Sequence, residues 1–180
     1  IRGTPGLKSV EENLTQYAAY HRDRRNIATH FAGIPMIVFA VVLALATVTL
    51  AAGPVVVSLA AVVSIAACAW YFKLDTAFGA AMAAVLFLMC AAASEITARI
   101  APGPVLALAA ALFTGGWALQ FLGHRFEGMK PAFYDDVMQL AIGPIFVCAE
   151  VFFLLGAAML LTRRVDWYRS ERDESSTLPS

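Results

Sequence analysis

The stretch Tyr20–His30, YHRDRRNIATH, stands directly ahead of the first long apolar run and holds two of the chain's three histidines. The third, His124, lies far along the chain in QFLGHRFEGMKPAF. Almost everything between them is apolar, so the fold turns on whether the apolar segments bring the two polar stretches together.

Of the 180 residues, 60% are hydrophobic and 14% charged, and the mean hydropathy is +0.71. These values belong to an integral membrane protein, not a soluble domain. By length the chain is one membrane-embedded domain over 1–165, followed by a polar tail over 166–180 whose composition predicts disorder. The formal net charge is zero and no basic tract is present, which sets nucleic acid aside as a partner. Cys68, Cys90 and Cys148 lie far apart inside apolar runs, without CxxC or Cys/His spacing, and read as small core hydrophobes. The hydrophilic segment before Ile34 is too long and too charged for a signal peptide, which predicts retention in the membrane without cleavage.

Five apolar runs follow, over 34–52, 54–72, 76–94, 104–122 and 137–162, each near or above the roughly 20 residues that cross a bilayer core. The turns Ala52-Gly53-Pro54 and Ala101-Pro102-Gly103-Pro104 connect neighbours as antiparallel hairpins. Small residues such as Gly79, Gly115 and Gly116 suit close helix packing in lipid. The predicted fold is an all-α membrane bundle of four antiparallel spanning helices. An interfacial helix precedes it, opened by a Ser9/Glu12 capping box and carrying Leu14 and Tyr17. A membrane-embedded helix follows, or a re-entrant pair broken at Pro131 and Pro144.

Four crossings return the chain to its starting side, so all three histidines face one membrane surface. That side carries Arg22, Arg24, Arg25, Lys73, Arg125 and Lys130, whereas the opposite loops offer Arg99, which predicts a cytoplasmic histidine face. Arg163, Arg164, Arg169 and Arg172 favour a tail returned to the same side. The alanine-rich spans and the lack of a retention signal predict a bacterial inner membrane.

Several residues on that face have the chemistry to build a site. His124 and Glu127, three apart, share a helix face and can offer a nitrogen and a carboxylate to a metal, although solvated interfacial charge is the plainer reading. His21 and His30, nine apart, fall on opposite faces of one continuous helix, so a shared site requires a break near Arg24 to Asn26. Asn26, four before His30, is placed to orient its imidazole. Glu150, inside the last apolar run, would cost on the order of 3 kcal/mol if ionised there. It either lines a polar cavity or is protonated and hydrogen-bonded, for example to Gln120 or Thr114. Asp135, Asp136 and Gln139 read as a solvated helix start.

Three groups of residues carry a family resemblance: Tyr20, His21, Asn26 and His30; then Gln120, Phe121, Gly123, His124, Phe126, Glu127, Pro131 and Ala132; then Pro144 and Glu150. Together they resemble the small membrane dioxygenases of the yeast type that act on 2-hydroxy fatty acids. The resemblance implies an iron(II)-dependent enzyme that uses O2 to shorten a 2-hydroxy fatty acid by one carbon, releasing carbon dioxide. It implies iron held by His21, His30, His124 and Glu127, with Asn26 and Glu150 in supporting positions, and Arg25, Arg125 or Lys130 steering the substrate carboxylate. Membrane lipids surround such a protein, and an oligomer is compatible with it. Three histidines are too few for a di-iron desaturase. Two readings from other classes stay open: a bis-histidine haem or electron carrier, and a small transporter with Glu150 as its proton site.

Overall fold

The computed structural model describes residues 14, 21, 23–128 and 139–154. The Ser9/Glu12 capping box, Tyr17, Lys130, Pro131, Asp135, Asp136 and the polar tail lie outside the described residues; Leu14 is helical and buried in the core. The elements are α1 (Arg24–Ala46), β1 (Thr49–Ala52), β2 (Val55–Ser58), α2 (Leu59–Leu74), α3 (Thr76–Arg99), α4 (Pro102–Glu127) and α5 (Gln139–Leu154).

The helical bundle agrees with the sequence, but the expected four full-length spans do not all form. Among the described residues α1, α3 and α4 are long and apolar enough to cross a membrane. With 16 residues, α2 rises only about 24 Å, short of a hydrocarbon core of about 30 Å. The difference lies in residues 49–58, expected inside the first two spans. There the β-branched Thr49, Val55, Val56 and Val57 favour extended backbone, and the chain forms an antiparallel hairpin pairing Thr49 with Ser58 and Ala52 with Val55. Its two-residue turn needs a left-handed first position, which Gly53 supplies at φ 62°, followed by the fixed negative φ of Pro54.

Helix ends are set by short polar residues. Asp23 caps α1, its side chain accepting from the Arg25 N–H at 2.8 Å. Ser58 caps α2. Asp75 alone joins α2 to α3, ending one helix through its N–H to the Tyr71 carbonyl and capping the next through Oδ1, which accepts from Ala77 and Phe78. Asp75 is thus the whole link between α2 and α3, which pack against each other, and Ile100 and Ala101 link α3 to α4.

The core centres on Leu43, Met82, Ile145 and Phe146, each 2% exposed or less. Outside it, Ile65, Phe87 and Leu88 are 69%, 72% and 66% exposed, which water would penalise and lipid would not. Inside the bundle α1 packs chiefly on α4 and α2 on α3. The α1–α4 crossing needs glycine on both helices. A Cβ on Gly116 would lie 2.6 Å from Ile37 Cγ1 and 2.9 Å from the Gly33 carbonyl oxygen, and one on Gly33 would lie 2.9 Å from the Gly116 carbonyl oxygen. Backbone oxygens cannot rotate away, so the helices must part if either glycine gains a side chain.

Gly116→Ala is therefore expected to destabilise the bundle by about 1–3 kcal/mol, read as a lowered thermal midpoint in detergent. Gly103→Ala, whose Cβ would meet nothing within 4 Å, serves as the control and should stay near wild type. Equal midpoints for the two variants would contradict the close crossing.

Candidate metal centre

The chain break required between His21 and His30 falls at Asp23, slightly before the expected position. Asp23 has extended backbone (φ −72°, ψ 126°) and starts α1 behind it, so His21 stands outside the helix and approaches His30 from beyond its first turn. The local signal was Asp23 itself, a strong N-cap residue two positions after His21. Arg25 reinforces the cap, donating to both Asp23 carboxylate oxygens, at 3.2 and 2.8 Å. The Arg25 hydrogen bonds hold the Asp23 carboxyl below its ordinary range.

His21, His30 and His124 converge. All three are buried, and one ring nitrogen from each lies within 4.8 Å of the others. His21 Nε2 and His30 Nε2 are 3.0 Å apart, and the His124 ring centroid is 5.0 Å from each of the other two. His30 Nδ1 faces the Asn26 carbonyl oxygen at 2.9 Å. A carbonyl can only accept, so Nδ1 carries the proton and Nε2 of the neutral ring presents a lone pair to the cluster. The expected Asn26–His30 pairing thus exists through the Asn26 backbone. The Asn26 side chain turns elsewhere, donating from Nδ2 to Glu127 Oε2 at 2.9 Å.

Glu127 is not among the clustered ligand atoms. Its Oε2 accepts from the Asp23 N–H at 2.8 Å as well as from Asn26. This carboxylate from the end of α4 meets the exposed N–H groups at the start of α1, an end that favours negative charge and that has no acidic residue in its own first turn. Next to it Arg25 lies over the Phe126 ring, 4.7 Å from the centroid. Gly128, at φ 71°, closes α4 with its N–H on the His124 carbonyl. The helices can meet this closely because position 123 is glycine: a Cβ there would collide with Thr29 Oγ1 and Asn26 Oδ1 and sit 3.2 Å from His30 Nδ1.

The histidines form one end of a cavity of about 300 Å³ whose other walls are mostly apolar, including Ile34, Val38, Phe113, Trp117 and Leu140. Gln120 and Gln139 line it too. Gln139, expected as a solvated helix start, is 1% exposed, because α5 begins against the cavity and not in solvent. The buried atoms Gln120 Nε2, Gln139 Nε2, Gln139 Oε1 and His124 Nδ1 have no hydrogen-bond partner among the described residues, and each such group ordinarily costs about 1–3 kcal/mol. Glu150 is buried in α5 but does not line this cavity, and Gln120 Nε2 does not donate to it. Arg25 and Arg125 do not line the cavity either; Arg25 is held by Asp23, and the Arg125 side chain is exposed.

The donor set fits a transition metal. Ligands at about 2.1 Å and right angles stand about 3.0 Å apart, the observed His21–His30 separation. A metal would replace the proton those two nitrogens share and would satisfy a buried imidazole. Imidazole nitrogens suit iron, copper, nickel or zinc. A haem does not fit between them, since trans ligands on either face of a porphyrin lie about 4 Å apart and ring centroids 4.4–5.0 Å apart leave no slab for the macrocycle.

If Glu127 positions the cluster through Asn26, Glu127→Ala should lower metal affinity about 10–100-fold and lower the thermal midpoint, while Glu127→Gln, which keeps an accepting oxygen, should fall between. A metal titration unchanged in Glu127→Ala would contradict that role.

Comparison with known proteins shows the family of the chain. The family model described as 2-hydroxy-palmitic acid dioxygenase Mpo1-like matches residues 7–155, a span that contains all three histidines. The chain is also 31% identical over 153 residues, 84% of each protein, to the 2-hydroxy-palmitic acid dioxygenase MPO1 of Saccharomyces cerevisiae. No solved structure matches. The chain belongs to the Mpo1-like family of 2-hydroxy-palmitic acid dioxygenases.

Proposed function

We propose that this protein is a non-haem iron(II) dioxygenase that cleaves a 2-hydroxy fatty acid within the membrane, giving the acid one carbon shorter and carbon dioxide. The observation that carries the reading is the position of the three buried imidazoles at one end of an apolar cavity, in a chain of this family. His21, His30 and His124 would hold the iron, with Glu127 and Asn26 fixing the orientation of His30. Bound iron(II) would supply the one-electron chemistry that lets dioxygen react, at coordination positions the three imidazoles leave open.

The overall balance needs no further reductant: R–CH(OH)–COOH and O2 give R–COOH, CO2 and water. Carbon 2 loses its bond to the carboxyl carbon, and the hydroxy acid provides all four electrons that dioxygen takes up. Neither oxoglutarate nor a nicotinamide is called for. The chain's own contribution is binding and exclusion of water. The acyl tail is apolar, and so are the walls formed by Ile34, Val38, Phe113 and Trp117. A second cavity of about 320 Å³, lined by apolar residues, shares Ile34, Val38 and Pro144 with the first and extends the room for a long chain. The arginines and lysine near the histidine face support a cytoplasmic site.

Purified in detergent and loaded with iron(II), the protein is expected to consume one O2 for each CO2 released from 2-hydroxypalmitate. His124→Ala should lose bound iron and turnover together. Full iron content and turnover in that variant, or bound zinc with no oxygen uptake by the wild type, would contradict the proposal. A bulky Val38→Trp substitution is expected to shift preference towards shorter 2-hydroxy acids with iron content unchanged; an unaltered chain-length profile would remove the acyl path past Val38.

A further inference from the structure

Two carboxamides in the cavity wall stand beside the three-histidine group. Gln120 lies one helical turn before His124 on α4, and the four-residue spacing puts both on one face. Gln139 opens α5. The two are 7% and 1% exposed, and both line the cavity that holds the histidines. Gln120 Nε2 and both Nε2 and Oε1 of Gln139 are buried without a hydrogen-bond partner among the described residues. Native interiors rarely leave such atoms unmatched, and an acyl chain cannot match them.

The unmatched atoms have a definite chemistry. Each amide nitrogen donates, and the Gln139 carbonyl oxygen accepts. A carboxylate accepts hydrogen bonds and a hydroxyl can donate one, so the head of a 2-hydroxy acid complements the set, whereas an unhydroxylated fatty acid leaves the Gln139 oxygen unused. Neutral amides also order the head group without placing a charge in an apolar wall. Of the cationic residues expected to recognise the carboxylate, Arg25 is engaged by Asp23, Arg125 is exposed, and Lys130 lies outside the described residues.

We propose that Gln120 and Gln139 form the head-group subsite, binding the carboxylate and 2-hydroxyl of the fatty acid and selecting it over the unhydroxylated acid. This rests on the dioxygenase reading above. It is tested by equilibrium binding under nitrogen to iron-loaded protein in detergent, together with oxygen uptake. Wild type should bind 2-hydroxypalmitate about tenfold or more tightly than palmitate or 2-methoxypalmitate, which cannot donate, because a buried acceptor left unpaired discriminates strongly. Gln139→Leu and Gln120→Met should each weaken 2-hydroxypalmitate by about tenfold, raising KM, with iron content near wild type; palmitate, which shares the carboxylate but not the 2-hydroxyl, should lose less than 2-hydroxypalmitate in Gln139→Leu. Equal wild-type affinity for the three acids overturns the subsite whether or not the variants fold. So does 2-hydroxypalmitate binding within twofold of wild type in a folded variant. Wild-type turnover with unaltered variants removes this inference alone; no wild-type turnover removes the dioxygenase reading and the inference with it.

Discussion

The close approach of α1 and α4 is the constraint on which the site depends. Glycine at 33, 116 and 123 lets one helix lie against the backbone of the other, and only at that separation can Glu127 reach the Asp23 N–H and the Asn26 side chain. The consequence travels one step further along α1. Asn26, tethered by its side chain, offers its backbone carbonyl to His30 Nδ1, which fixes the tautomer and turns Nε2 inward. His124, three residues before Glu127 on α4, is brought to the same place by the same crossing. The packing of small residues and the orientation of the metal donors are therefore one structural fact.

The surroundings of the histidines divide the labour between polar and apolar groups. Three imidazoles and two carboxamides line the cavity, and aliphatic and aromatic side chains make up most of the rest. An amphipathic acid with a polar head and long tail matches that division. Among the described residues no charged side chain lines the cavity, and Asp23, Arg25 and Glu127 gather where the start of α1 meets the end of α4.

Much of this was legible in the sequence. Hydropathy fixed the helical bundle, and returning the chain to one side after alternate helices placed the three histidines together even though α2 proved too short to cross fully. The hairpin at Thr49–Ser58 escaped notice because its residues are as apolar as the spans they adjoin; only β-branching and the Gly53-Pro54 turn distinguish them. The break before α1 could have been found from Asp23, whose capping preference is local. The spacing of Glu127 from His124 shows that the two share a face, but not that the carboxylate also meets the Asp23 N–H and the Asn26 side chain. Gln139 read as solvated for a similar reason: a polar residue at a helix start looks the same in sequence whether it faces water or a cavity.

The central claim is that three imidazoles together bind one metal ion beside the cavity. X-ray absorption at the iron edge of the iron-loaded protein tests it most directly. The account predicts a non-haem iron with three imidazole nitrogens, and loss of that bound iron in His124→Ala. A sulfur-ligated or porphyrin-bound iron, or an iron whose imidazole count is unchanged in that variant, would contradict it.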